Sequence, residues 1–97
     1  MTFSFHPEAE KEFLFAIDYY EDCRTGLGYD FSIEVYETIT RIISFPEAWT
    51  PLEADIHRSL VNRFPYGIIF TIDKNRILIL AVMNLYREPD YWKQRKI

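Results

Sequence analysis

The amino-acid sequence predicts an α+β fold: a helical hairpin packed on a small antiparallel β-sheet, in the order β-α-α-β-β-β with a short C-terminal helix of about one turn. Three observations predict it. Apolar residues recur at helical spacing through the first half of the chain. The period changes to two after residue 56, and glycine and proline fall at the boundaries between periodic stretches.

Thr2 to His6 alternates, with Phe3 and Phe5 on one side, and reads as an opening strand. Pro7 suits a first helical position, where its missing N–H costs nothing. Glu8, Glu10 and Glu12 complement the helix dipole in the first turns. Ala9, Phe13, Ala16, Ile17 and Tyr20 then mark one amphipathic helix from Pro7 to Cys23. Thr25-Gly26-Leu27-Gly28 breaks it, because glycine tolerates the positive φ of a helix end. A second helix carries Phe31, Val35, Ile39, Ile42 and Ile43 on its inner stripe, and Pro46 ends it. The short link predicts an antiparallel pair.

Residues 46–56 read as a loop pinned by Trp49 and Pro51. Arg58, Leu60 and Asn62 alternate with His57, Ser59, Val61 and Arg63 up to a turn at Pro65-Tyr66-Gly67. Ile68 to Ile72 is the next strand, Asp73 to Arg76 a turn, and Ile77 to Leu85 a central strand, apolar at nearly every position. The tail from Glu88 to Lys93 has room for one helical turn. A meander of three strands joined by the opening strand would carry the helices on one face and leave the other free as a working surface.

The 97 residues fit a single domain spanning 1–97, with no repeat, linker or low-complexity segment. A chain of this size buries roughly 60–70% of its unfolded surface, enough for a core without staples. One cysteine, Cys23, excludes an intrachain disulfide and fits a reduced, cytoplasmic setting. The longest apolar run, Ile77 to Met83, is too short to cross a membrane, and no leader pattern opens the chain. The net charge of −4 argues against a surface that binds nucleic acid throughout. The average conceals a division: residues 1–56 carry three basic against twelve acidic residues, and residues 57–97 eight against three. Either helical surfaces simply favour glutamate, or the second half presents a cationic face to phosphates or carboxylates.

Arg58, Arg63, Arg87 and Arg95, with Tyr91, are the candidate active face. Guanidinium groups bind phosphate bidentately and hold their charge at any physiological pH. RNA cleavage through the 2′-hydroxyl needs such charge on the phosphorane oxygens, together with a base and an acid. The competing reading is that some of these arginines pair with carboxylates and fix the tail. His57 is the only histidine near this region, and a strand histidine is more often a half-exposed polar residue than a base. Tyr86 and Tyr91 are weak acid–base groups at an ordinary pKa of about 10. Trp92 is expected to pack on the sheet, His6 to cap or pack, and Cys23 to be a small buried residue. Tyr19, Tyr20, Tyr29 and Tyr36 divide between core and an exposed docking surface. Two histidines and one cysteine at these separations give no metal-ligand spacing, and no glycine-rich phosphate loop is present, so no cofactor is expected.

The break at Gly26-Leu27-Gly28, the segment Asn62-Arg63-Phe64-Pro65-Tyr66-Gly67 and the close Leu85-Tyr86-Arg87-Glu88-Pro89-Asp90-Tyr91-Trp92 together resemble ParE-like toxins of the RelE/ParE superfamily. The likeness runs from about Phe5 to Arg95. It implies the toxin of a type II toxin–antitoxin pair, neutralised by a cognate antitoxin. For the ParE-like branch it implies DNA gyrase as target; for the RelE-like branch, cleavage of messenger RNA on the ribosome. RelE-like nucleases tend to carry a lysine- or arginine-rich face, and the strands here lack lysine. That leaves the catalytic set incomplete and favours the gyrase branch. A member that folds and binds antitoxin without harming its host is the third reading.

Overall fold

The computed structural model describes residues 1–95. β1 (Thr2–Phe5) leads into α1 (Pro7–Cys23) and α2 (Leu27–Ser44), followed by β2 (Thr50–Glu53), β3 (Ile56–Leu60), β4 (Tyr66–Asp73) and β5 (Arg76–Asn84). The α+β order expected from the sequence is present, with one strand added.

α1 begins where proline placed it. His6 caps it, its Nδ1 accepting from the Glu8 N–H at 3.1 Å. Gly26 stands at φ +90° between the helices, in the left-handed region that favours glycine. Glu21 ties the hairpin: its carboxylate accepts from the Gly26 and Gly28 N–H groups at 2.9 and 3.1 Å. A side chain at position 28 would put Cβ 2.5 Å from the Ile17 carbonyl oxygen, so the two helices approach as closely as they do only over glycine.

The sheet runs β1-β5-β4-β3-β2. β3, β4 and β5 form the expected antiparallel meander, closed at Asp73–Arg76 by a two-residue turn in which Lys74 and Asn75 both have positive φ. Two features differ from expectation. β1 lies parallel to β5, from Thr2 beside Arg76 to Phe5 beside Ile79, so the sheet is mixed rather than wholly antiparallel. The stretch read as a loop contains β2, an edge strand whose residues are all exposed. It tolerates Pro51 because an edge position needs no second partner. Trp49 does pack against the core, but Pro51 is exposed and pins nothing.

Two apolar layers sandwich the sheet. On the helical side Phe13, Phe31, Val35, Ile39 and Ile42 pack on Ile68, Phe70, Ile77, Ile79 and Val82. A shift in the β4–β5 register between Ile69 and Phe70 turns both Leu80 and Ala81 to the far side. There they join Ile69 and Met83 beneath Trp92, which is 2% exposed. The far face expected to lie open is therefore covered in part by the tail. That tail is a run of turns, with Lys93 N–H donating to Asp90 and Arg95 N–H to Trp92, and not an assigned helix. Trp92 packs on the sheet as expected. Cys23 does not follow expectation: it is exposed near the end of α1.

Candidate functional site

The site follows from the unequal lengths of β1 and β5, four residues against nine. β1 pairs only as far as Ile79, whose carbonyl takes the His6 N–H at 2.8 Å. Beyond that point the chain has turned into α1, and β5 has no strand on that side. A bare edge in a half-buried position needs donors and acceptors from elsewhere. Glu12 of α1 and Arg95 of the tail supply them. The Val82 N–H donates to Glu12 Oε1 at 3.0 Å, and Arg95 Nη1 donates to the Leu80 carbonyl at 3.0 Å. Both side chains then join each other through two hydrogen bonds of 2.9 Å. An ion pair thus stands where a strand would otherwise continue.

Arg87 adds a second cation, with Nη1 3.3 Å from Glu12 Oε2. Tyr91 lies between the two arginines, its ring centre 3.6 Å from the Arg87 guanidinium carbon and 4.9 Å from that of Arg95. Burial pushes the Tyr91 phenol well above its ordinary value, and the Glu12 carboxylate adds to the rise. No acceptor lies in hydrogen-bonding geometry with its buried hydroxyl. Desolvation lowers the Arg95 pKa, but the hydrogen bonds and charge of Glu12 outweigh it and leave the guanidinium more firmly protonated. Around this group opens a cleft of about 460 Å³, to which Lys11, Phe15, Tyr66 and Asn84 also contribute.

Of the five candidate residues, the structure brings Arg87, Tyr91 and Arg95 together. It leaves Arg63 and Arg58 in two other places. Arg63, at φ +71° in the β3–β4 connection, lies 3.6 Å from both Asp30 and Glu34 of α2. Arg58, half-buried on β3, lays its aliphatic stem over Gly67, where a Cβ would meet Cγ and Cδ at 3.3 Å. His57 stacks on Phe70 on the helical side, away from the cleft. Asn84 has its side-chain oxygen accepting from the Tyr86 N–H at 2.9 Å.

Glu12 is the residue that sequence reading missed, having counted it among the acids of the first turns. One signal was available. Ala9, Phe13 and Ala16 are buried, so Glu12 sits on the rim of the apolar stripe, flanked by two alanines that leave room above the sheet.

Chemically, the cluster binds an anion only as far as Arg87 can be shared. Arg95 is satisfied by a carboxylate and a carbonyl, and its side chain is 13% exposed; that of Arg87 is 52% exposed. The Glu12 carboxylate is already engaged, accepting from two guanidiniums and a backbone N–H. A phenol held neutral donates reluctantly. Among the described residues no group of three or more His, Cys, Asp or Glu side chains could hold a metal ion, and no helix is long and apolar enough to cross a membrane.

No family model and no curated protein matches the chain. Among solved structures, a chain of the "Chromosomal ParDE TA system from P. aeruginosa" superposes with a TM-score of 0.76 at 16% identity, covering 88% of this chain and 96% of that one. At that identity the likeness is one of fold, and it extends over nearly the whole of both molecules: the protein is an α+β chain folded like a chain of a ParDE TA system.

Proposed function

We propose that the protein is a ParE-like toxin of a type II toxin–antitoxin pair, acting in the bacterial cytoplasm by binding rather than by catalysis, with DNA gyrase as its target and a cognate antitoxin as its inhibitor. The observation that carries this reading is the Glu12 clamp. It commits the carboxylate and Arg95 to holding the tail on β5, and holds Arg87 beside them. Phosphodiester cleavage needs a free base, an acid and an uncompensated cation at one point. In this cleft the acid–base candidates are Tyr91, kept neutral by burial, and Glu12, already bonded on both oxygens. The fold shared with a ParDE chain and the ParE-type close of the sequence support the same branch.

Exposed apolar side chains on the hairpin support an antitoxin surface. Leu14 and Tyr19 on α1, with Tyr29, Ile33 and Tyr36 on α2, stand exposed among the acidic residues of the N-terminal half, while Tyr20 joins the core. Tyrosine supplies contact area at low entropic cost. An antitoxin segment carrying basic residues fits this surface.

DNA supercoiling by purified gyrase tests the proposal. Inhibition at toxin excess, relieved by the antitoxin, is expected. Normal supercoiling at high excess rejects gyrase as the target. New 5′ ends in cellular messages after expression would instead assign the Arg87–Tyr91–Arg95 cleft to messenger-RNA cleavage. Expression without growth arrest would leave an inactive member that only binds antitoxin.

A further inference from the structure

The tail covers only part of the far face of the sheet, where Trp92 lies with Ile69, Leu80, Ala81 and Met83. Beside that cover, Gly67 of β4 stands between Leu60 of β3 and Met83 of β5. Its φ is outside the left-handed region, so the backbone does not require glycine here and the residue supplies space. A Cβ at Gly67 would lie 3.3 Å from Cγ and Cδ of Arg58 and 3.5 Å from Cδ2 of Leu85. The Arg58 stem and Leu85 thus lean toward each other over the glycine, one from β3 and the other from just past β5. Leu60, the strand partner of Gly67, shares their face. β2 pairs with β3 only as far as Arg58, so Leu60 has no outer neighbour.

Leu60 is 53% exposed, Leu85 38%, and Tyr86, in the turn that follows, 87%. Single exposed leucines are ordinary, whereas two beside one guanidinium form a small amphipathic patch of the kind that binds. Arg58 is half-buried and forms no ion pair among the described residues. On the same face of β2, Glu53 is paired instead with Lys93 of the tail, at 3.5 Å. A nucleic acid is a poor match, since phosphate recognition gathers several cations and Arg58 stands among leucines. A protein surface with one carboxylate set among apolar side chains matches it. The guanidinium fork meets the acid bidentately, and the leucines exclude water around the pair.

We propose, resting on the reading of the chain as a toxin that acts by binding gyrase, that this patch is the surface on which the target docks, with Arg58 receiving a carboxylate of the target beside Leu60 and Leu85. Target and antitoxin then meet opposite faces of the molecule, the bare part of the sheet and the helical hairpin. The Gly67 recess contributes to affinity. It lets the Arg58 stem lie against β4 before docking, so less side-chain freedom is lost when the partner arrives.

The test is supercoiling of relaxed plasmid by purified gyrase, read as the toxin concentration for half-inhibition, beside growth arrest on expression. Arg58→Glu and Leu60→Asp are each expected to raise that concentration by about tenfold or more, and together to abolish growth arrest. Lys74→Glu alters net charge as much as Arg58→Glu does, but it lies exposed in the β4–β5 turn at the other end of the sheet and is expected to inhibit as the native chain does. Urea unfolding shows whether each variant is folded, and Arg58→Gln or Leu60→Ser replaces any that is not. Folded variants that inhibit like the native chain, or an equal loss from Lys74→Glu, overturn the proposal. So does a native dimer, seen by light scattering, that Leu60→Asp dissociates, since a second copy would then occupy the patch. A native chain that arrests growth without inhibiting gyrase refutes the gyrase reading alone. In that case loss of arrest in the double variant supports the patch as the surface for another protein target, and unchanged arrest overturns it. A native chain that does neither overturns both.

Discussion

The arginines at the two open sheet edges differ in what neutralises them. At the open half of β5, Arg87 and Arg95 surround one carboxylate, and the cluster is part of the architecture: it completes a sheet edge and holds the tail over the far face. At the open half of β3, Arg41 of α2 and Arg58, whose stem lies over Gly67, form no ion pair among the described residues. Both edges arise the same way, from a short outer strand beside a longer inner one. The lesson is that the same residue type at comparable breaks in a sheet becomes part of the architecture only where an acid has been supplied.

Removing the acid breaks this contrast most severely. Glu12→Ala leaves Arg95 unpaired in a setting where its side chain is 13% exposed and strips the Val82 N–H of its acceptor. A loss of about 3 kcal/mol is expected, the scale for breaking a largely buried pair. Urea unfolding measures it. A loss below about 1 kcal/mol would show that the clamp behaves as a surface ion pair.

Comparing single arginines sharpens the contrast at intermediate size. Arg95→Ala should cost about 2 kcal/mol, since it leaves a charged acceptor and a carbonyl behind. Arg58→Ala should stay within about 0.5 kcal/mol, because no bonded partner is abandoned. Equal losses in parallel unfolding curves would erase the distinction between the arginine held by Glu12 and the one without a carboxylate.

The smallest effect is alkaline. The Tyr91 pKa is raised in the folded chain, chiefly by burial, as are those of Tyr20 and Tyr66. A group raised on folding gives stability that is complete below its unfolded value, about 10 for a phenol, and is lost as pH climbs toward the folded value. Thermal melts should therefore decline from about pH 10 upward, and Tyr91→Phe should shallow the decline while leaving neutral-pH stability little changed. An unaltered slope in that variant would place Tyr91 outside the alkaline transition.

Much of the fold was legible because its signals are local. Pro7 and Gly26 bracket α1, Pro46 closes α2, and the period-two run with turns at Pro65 and Asp73 gives the meander. β2 was not legible, because all four of its residues are exposed and nothing alternates; only pairing with β3 makes Thr50–Glu53 a strand. The parallel course of β1 was hidden for a related reason, since periodicity reports a strand but not the direction of its neighbour. In the candidate site, Arg87, Tyr91 and Arg95 were named from their spacing, whereas Glu12 lies 83 residues from the arginine it binds, and no local pattern links them.

By itself the sequence determined the two helices, four of the five strands, their order and the division of charge between the two halves, because helix caps, turns and hydrophobic period act over a few residues. Only the tertiary structure decided which cations meet an acid and which do not. That depends on where one strand stops beside a longer one, and so on which backbone groups and side chains from distant parts of the chain are left facing each other across the gap.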